Sequence, residues 1–307
     1  MSKPVILNIA PIPAFLQKSL ESEFDLRTLD TLGDAAGISG LVSSAIRGVD
    51  RATLDRLPDL KVMSIFGVGT DKVDLAAARS RGIRVGYTPD ILNDCVADLA
   101  IGLMIAVSRK IPQADGYVRS SLWAETGKVF ELGDRVSGKR MGIVGFGRIG
   151  RIIAKRLAGF DAEIRYFSRS EVPGCPYERV PDLPALAAWC DYLFISVSGS
   201  AETRHLIDAG VLEALGPRGY LINVARGSVV DEQALMAALE NQTIRGAALD
   251  VYEVEPLNSP RLAGLRNTVL LPHVSSATNE TRTAMSDMVV ANLKRFYAGE
   301  SMLAEVA

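Results

Sequence analysis

The feature that most constrains this chain is a glycine-rich turn at residues 145–150, with the pattern G-x-G-x-x-G. The apolar stretch Met141–Gly145 predicts a strand before the turn, and Arg151–Leu157 has helical spacing after it. In such a unit the first glycine permits the tight turn, the second lets a pyrophosphate approach the backbone, and the third lets the helix pack on the strand. The amides that begin the helix attract phosphate. We therefore predict a dinucleotide site whose contacts include Gly145, Gly147, Arg148, Ile149 and Gly150.

The strand that follows the turn indicates which dinucleotide is bound. Sites for NAD usually end this strand with an acidic residue, which accepts from the ribose 2′-hydroxyl. Here Glu163–Phe167 is followed by Ser168, Arg169 and Ser170, with no acid. A guanidinium and two hydroxyls can bind a 2′-phosphate through charge-assisted hydrogen bonds. The sequence thus predicts NADP(H) in preference to NAD(H).

Short apolar runs alternate with helical patterns along the chain, which predicts βαβ units and parallel sheets. We expect two Rossmann-like, doubly wound α/β domains: a flavodoxin-like substrate domain at 1–98 and 277–307, and an NAD(P)-binding Rossmann domain at 99–276. Residues 111–137 are less regular and indicate an arm or interface segment. The predicted strands are Val5–Ala10, Ile38–Ser43, Val62–Phe66, Ile83–Val85, Met141–Gly145, Glu163–Phe167, Tyr192–Val197, Gly219–Asn223, Ala247–Asp250 and Val269–Leu271.

Composition excludes several classes of function. The 34 Lys and Arg nearly balance the 36 Asp and Glu, so no strong field would recruit nucleic acid or an anionic membrane. Three separated cysteines and two histidines fit neither a disulfide framework nor a metal cluster. The N-terminal stretch is interrupted by prolines and lacks the shape of a signal peptide, and no apolar run is long enough to span a membrane. We expect a cytoplasmic protein without a metal.

Three motifs downstream of the glycine turn carry candidate chemistry. Arg226, Glu255 and His273 each lie shortly after one of three successive predicted strands. Because ligands of open parallel sheets bind at the carboxyl ends of the strands, these side chains can converge on one cleft.

These motifs, together with the glycine turn, resemble the D-isomer-specific 2-hydroxyacid dehydrogenase family along essentially the whole chain. The likeness is greatest to glyoxylate/hydroxypyruvate reductases and plant hydroxyphenylpyruvate reductases. The matching stretches are Val136-Ser-Gly-Lys-Arg, Phe167-Ser-Arg-Ser, Leu221-Ile-Asn-Val-Ala-Arg-Gly, Gly246-Ala-Ala-Leu-Asp-Val-Tyr and Leu271-Pro-His-Val.

The resemblance implies that Arg226, Glu255 and His273 are catalytic, and their chemistry fits the reduction of a 2-keto acid. Arg226 can bind the carboxylate and the adjacent carbonyl of the substrate through its planar donors. His273 is suited to protonate the alkoxide that hydride transfer leaves. A nearby Glu255 would favour the charged imidazole and hold its tautomer.

The resemblance also implies contacts elsewhere in the chain. Val68 and Gly69 would bind the substrate carboxylate, because Phe66–Asp71 ends a strand and opens a helix whose amides can meet an anion. Trp123 lies in the arm that crosses to a partner subunit in similar proteins, which implies a homodimer. Relatives usually carry proline after the fourth strand of the cofactor domain, where this chain has Val197-Ser-Gly-Ser. The remaining implied cofactor contacts are Ser198, Thr203, Val224 and Asp250.

Two other functions remain open at this point. Corepressors that share the fold sense a dinucleotide without catalysis and also retain an Arg, a Glu and a His, but this chain lacks obvious extra tails for partner recruitment. Formate or phosphite oxidation is the second, and Glu255 weighs against it because formate enzymes of this fold typically lack an acid partner for the histidine. The sequence does not rank glyoxylate, hydroxypyruvate and aromatic keto acids as substrates.

Overall fold

The computed structural model describes residues 3–29 and 35–306. The chain divides into two compact units: unit 1 comprises the described residues of Met1–Leu92 and Ala277–Ala307, and unit 2 comprises Asn93–Ser276. The domain boundary that the sequence places between residues 98 and 99 falls inside a continuous helix, Asn93–Arg109, which belongs wholly to unit 2.

Unit 1 is built on a five-stranded parallel sheet with the strand order β2-β1-β3-β4-β5. Its strands are β1 (Val5–Asn8), β2 (Asp25–Thr28), β3 (Ile38–Ser44), β4 (Val62–Phe66) and β5 (Arg84–Gly86). Its helices are α1 (Ala14–Glu23), α2 (Arg51–Asp55), α3 (Leu75–Ser80) and the C-terminal helix Asn279–Tyr297. Strand β4 is buried at every position, as expected for a strand near the middle of a sheet covered on both faces.

Unit 2 is built on a seven-stranded parallel sheet with the order β12-β11-β10-β9-β6-β7-β8. Its strands are β6 (Arg140–Val144), β7 (Glu163–Phe167), β8 (Glu178–Arg179), β9 (Tyr192–Ile195), β10 (Tyr220–Asn223), β11 (Gly246–Leu249) and β12 (Thr268–Leu270). Its helices are α4 (Asn93–Arg109), α5 (Ile111–Arg119), α6 (Leu122–Thr126), α7 (Arg148–Leu157), α8 (Leu183–Trp189), α9 (Ala209–Leu215), α10 (Glu232–Glu240) and α11 (Pro260–Ala263); the C-terminal helix Asn279–Tyr297 of unit 1 is α12.

The chain leaves β6 toward β7 and β8 and then returns to β9 on the other side of β6. This reversal of strand order is the topological switch point where doubly wound sheets bind their ligands. The prediction of two Rossmann-type parallel α/β domains is confirmed.

The arm at residues 111–137 is more regular than the sequence indicates, since it contains α5 and α6. Neither helix has a buried residue. Across the described part of the chain, no helix combines the length and the apolar character needed to cross a membrane.

Candidate active site

The three glycines of the turn between β6 and α7 occupy three different environments. Gly145 has a φ of +94°, which a residue with a side chain rarely adopts. A Cβ on Gly150 would lie 2.1 Å from the carbonyl oxygen of Gly145, so the helix packs directly on the turn. A Cβ on Gly147 would have no atom within 4 Å, and no described side chain caps the N-terminus of α7. The turn therefore offers open backbone and helix amides to a phosphate.

The segment after β7 forms a turn held by a residue that the sequence did not single out. The Arg179 guanidinium donates to the carbonyl oxygens of Ser168, at 2.9 and 3.0 Å, and of Arg169, at 2.9 Å. The Ser168 hydroxyl donates to the carbonyl oxygen of Ser170 at 2.5 Å. The Arg169 side chain is 91% exposed, and its guanidinium lies 3.2 Å from the Glu202 carboxylate. Arg179 thus fixes the backbone of the turn and leaves the Arg169 head in solvent.

The loops after β9 and β10 carry three of the remaining predicted cofactor contacts, Ser198, Thr203 and Val224. The Thr203 hydroxyl donates to the carbonyl oxygen of Ser198 at 2.8 Å, which joins two of these predicted residues directly. Ser200 caps the short 3-10 helix Ala201–Thr203. Val224 follows β10 and is buried. The serine-rich sequence therefore forms a hydrogen-bonded turn after β9.

Arg226 lies on a turn whose shape is set by Asn223, the buried last residue of β10. The Asn223 side chain accepts from the amide of Ala225 at 3.0 Å and donates to the carbonyl oxygen of Arg226 at 3.1 Å. The next residue, Gly227, is in contact with the following loop, because a Cβ there would lie 1.8 Å from the carbonyl carbon of Tyr252. The Arg226 turn is thus packed against the segment that leads to Glu255.

Glu255 and His273 form the closest pair of candidate catalytic groups. One oxygen of Glu255 lies 2.8 Å from Nδ1 of His273, and the other accepts from the amide of Tyr252 at 3.1 Å. The carboxylate is therefore fixed at both oxygens. Because a carboxylate only accepts, it holds the proton on Nδ1 and leaves Nε2 for another partner. The side chains are 21% and 13% exposed for His273 and Glu255, so water has limited access to the pair.

Asp250 positions the histidine through the backbone. It has no solvent exposure, and its two oxygens accept from the amides of Val274 and Ser275 at 2.7 and 2.8 Å. Its carbonyl oxygen accepts from the amide of His273 at 2.9 Å. His273 has a φ of +54°, an uncommon conformation for a non-glycine residue. In the structure, both Asp250 carboxylate oxygens thus bind the loop that carries His273.

His205, the other histidine of the chain, links two loops of the site. Its amide donates to the carbonyl oxygen of Ser228 at 2.8 Å, just after Arg226. Its Nε2 lies 2.9 Å from the Glu253 carboxylate, which also accepts from Arg204 at 2.7 Å. Its position next to Thr203 was visible in the sequence, but its partner Glu253 was not.

In unit 1 the loop after β4 contains Val68 and Gly69. The following helix α3 begins at Leu75 and is capped by Asp74, so the expectation that this loop opens a helix is wrong. The two amides lie in the connecting loop and donate to no acceptor among the described residues. They remain available to an anion without the help of a helix dipole.

Comparison with known proteins gives the family. Residues 101–275 match the family model described as D-isomer specific 2-hydroxyacid dehydrogenase, NAD binding domain. The chain belongs to the D-isomer-specific 2-hydroxyacid dehydrogenases. It is 43% identical over 309 residues to glyoxylate/hydroxypyruvate reductase A of Arabidopsis thaliana, covering 98% of both chains. It is also 43% identical to 2-ketogluconate reductase of Gluconobacter oxydans, over 99% of both.

A solved structure supports the same assignment. The NADPH-dependent glyoxylate/hydroxypyruvate reductase of Sinorhizobium meliloti, in complex with NADP and malonate, is similar with a TM-score of 0.93 and 41% identity, covering 100% of this chain and 97% of that one. As a 2-hydroxyacid dehydrogenase, the chain is an oxidoreductase that uses a nicotinamide dinucleotide. The family predicted from the sequence motifs is confirmed.

Proposed function

We propose that this enzyme reduces a small 2-keto acid, such as glyoxylate or hydroxypyruvate, to the D-2-hydroxy acid, with NADPH preferred over NADH. The observation that carries the proposal is the Glu255–His273 pair, whose side chains lie 2.8 Å apart. Like Arg226, both residues follow the carboxyl end of a strand of the same sheet. The similar proteins described above are named as reductases, which favours catalysis over dinucleotide sensing.

The roles of the three residues follow from their chemistry. A bound nicotinamide dinucleotide supplies the hydride. As the keto carbon is reduced, its oxygen acquires negative charge, which the Arg226 guanidinium stabilises. Nε2 of His273 then donates the proton to that oxygen. Glu255 holds the proton on Nδ1 and stabilises the charged imidazole until the transfer is complete. In unit 1, the amides of Val68 and Gly69 bind the substrate carboxylate.

Replacing His273 tests this mechanism. His273→Gln is expected to lower kcat by about 10²- to 10⁴-fold, the usual contribution of a general acid, with the Kd for NADPH unchanged. The matched control is His205→Gln, because His205 is the second of only two histidines and also binds a glutamate. The control should retain most of the activity. Undiminished turnover by His273→Gln, or no turnover of any 2-keto acid by the wild type, would contradict the proposal.

The preference for NADPH rests on the turn after β7. The three residues directly after the strand include no acid to repel a 2′-phosphate, and among the described residues the exposed Arg169 guanidinium forms an ion pair with the exposed Glu202. Such a surface ion pair contributes about 0–1 kcal/mol, so Arg169 can exchange Glu202 for a phosphate at little cost. A phosphate also offers more acceptors to the guanidinium than one carboxylate oxygen does.

Arg169→Ala is expected to raise the KM for NADPH by about 10- to 100-fold, the value of one or two charge-assisted hydrogen bonds, and to leave the KM for NADH unchanged. Arg261→Ala is the matched control, because Arg261 also forms a surface ion pair, with Glu240. Equal effects of Arg169→Ala on both cofactors would refute the assigned role. A wild type that uses NADH as well as NADPH would refute the preference.

A homodimer is proposed from the arm. Six large apolar side chains between residues 111 and 132 are 45% to 91% exposed in the chain alone; they are Ile111, Val118, Leu122, Trp123, Val129 and Leu132. So many exposed apolar groups in one segment are typical of an interface. Light scattering should give a dimer for the wild type and a shift toward monomer for Trp123→Ser/Leu132→Ser. The control Val254→Ser, at an exposed apolar residue outside the arm, should remain dimeric.

A further inference from the structure

Arg282 is a half-buried cation of unit 1 that the proposed mechanism does not use. It lies on α12, and its guanidinium carbon is 5.3 Å from the centre of the Phe66 ring. Phe66 is the buried last residue of β4, and Gly67, Val68 and Gly69 follow it directly. Arg282 is therefore placed at the end of the strand that leads into the proposed carboxylate-binding loop.

The guanidinium of Arg282 has no acceptor within the described residues: no carboxylate or carbonyl oxygen there takes a hydrogen bond from it. Burial alone lowers the pKa of Arg282, and no neighbouring negative charge opposes this effect. Other partly buried arginines of the chain are paired. Arg140 binds Asp191 at 3.0 Å, and Arg156 binds Asp94 at 2.8 Å.

An arginine that stays half-buried without an acceptor loses hydration that nothing in the chain replaces. The Phe66 ring holds the guanidinium plane by a cation–π contact, but it accepts none of the five N–H groups in the way an oxygen does. The donors are thus held in place and available to a ligand that supplies oxygen atoms.

We propose that Arg282 binds a hydroxyl or second carboxylate on carbon 3 or beyond of the 2-keto acid, and so selects hydroxylated or dicarboxylic substrates over glyoxylate. This inference rests on the proposed function, in which the Val68 and Gly69 amides take the first carboxylate. A planar donor fork suits a carboxylate or a pair of hydroxyls. Glyoxylate has no carbon 3, since its carbonyl carbon carries only a hydrogen atom beside the carboxylate, and it therefore offers this arginine no second group to bind.

The test compares four substrates, each of which has one carboxylate next to its carbonyl carbon: hydroxypyruvate, 2-ketogluconate, 2-oxobutyrate and glyoxylate. 2-Oxobutyrate replaces the hydroxyl of hydroxypyruvate by a methyl group at nearly the same size. Arg282→Met keeps a long side chain against Phe66 but removes every donor. It should lower kcat/KM for hydroxypyruvate and 2-ketogluconate by about 10- to 100-fold, the loss of a hydrogen bond to a charged group, and change the other two substrates by less than about threefold.

Two further variants separate recognition from folding. Arg282→Lys keeps the charge and should recover part of the activity on hydroxypyruvate. Arg295 lies on the same helix but forms an ion pair with Glu300. Arg295→Met should therefore leave kcat/KM for all four substrates unchanged. The thermal unfolding temperature and the Kd for NADPH are measured for each variant.

An equal loss of kcat/KM on all four substrates would overturn the inference, because Arg282 would then bind the carboxylate that all four have or would serve only to stabilise the fold. No loss on any substrate would overturn it as well. A wild type that reduces none of the four acids is a different result: it refutes the proposed function and removes the basis of this inference with it.

Discussion

Replacing Asp250 by asparagine is expected to loosen the loop that carries His273. The two carboxylate oxygens accept from the amides of Val274 and Ser275 at 2.7 and 2.8 Å, in a side chain without solvent exposure. Asparagine keeps one of the two oxygen acceptors. Its amide nitrogen is a donor, so it faces the other N–H group with no acceptor between them.

The cost follows from these two hydrogen bonds. Each hydrogen bond to a charged group contributes about 1.5–3 kcal/mol, and the variant weakens one and loses the other, so we expect a loss of roughly 2–4 kcal/mol in the free energy of unfolding. For a domain the size of unit 2 this lowers the melting temperature by roughly 4–16 °C. His273 would also be released from its positive φ of +54°, and a displacement of about 1 Å costs about 100-fold in kcat.

Thermal unfolding and steady-state turnover measure the two effects. The control is Asp208→Asn, at the N-cap of α9, where the side chain accepts from the amide of Val211. Asparagine caps a helix about as well as aspartate, so this variant should melt and turn over like the wild type. If Asp250→Asn behaves like Asp208→Asn in both assays, Asp250 does not hold the loop in the way described.

Three further outcomes are expected. Gly227→Ala places a Cβ 1.8 Å from a backbone carbon, so urea unfolding should show a loss of about 3 kcal/mol or more, whereas Gly102→Ala, in open space on α4, should gain about 0.5–1 kcal/mol. Burial would raise the pKa of Asp191, but hydrogen bonds from Arg140 outweigh it and the pKa lies below its usual value. The stability that Asp191 contributes is present at neutral pH and is lost as the pH falls. The difference in the free energy of unfolding between the wild type and Asp191→Asn should therefore become smaller below about pH 4. Equal differences at pH 7 and pH 3 would contradict this. Burial raises the pKa of the Cys190 thiol to about 12, so a thiol reagent should modify it only after denaturation.

The strands that the sequence located are those with an apolar run, including β5 and β12 at the edges of the two sheets. Strands β9, β10 and β11 are buried at every residue and so appear as continuous apolar runs. Strands β2 and β8 also lie at sheet edges, but they were not predicted because both are largely polar. An edge strand is paired on one side only and needs no apolar pattern to form.

The candidate catalytic residues could be predicted because each follows a strand end, where the fold itself brings distant segments together. The contacts that hold them could not. Glu255 binds the amide of Tyr252, and His205 binds Glu253, through loops whose paths no periodicity encodes. Asp250 left a partial signal, an acid at the end of an apolar strand, but its backbone partners are visible only in three dimensions.

Arg226, Glu255 and His273 follow three strands that are consecutive in the chain and adjacent in the sheet, from β10 through β11 to β12. During synthesis these strands emerge in the order in which the sheet extends outward from β9, and the histidine emerges last, behind the edge strand. The glycine turn follows β6 at the centre of the sheet, whereas His273 follows its outermost strand. A chain whose edge strand β12 is undocked therefore loses the histidine while it keeps the glycine turn.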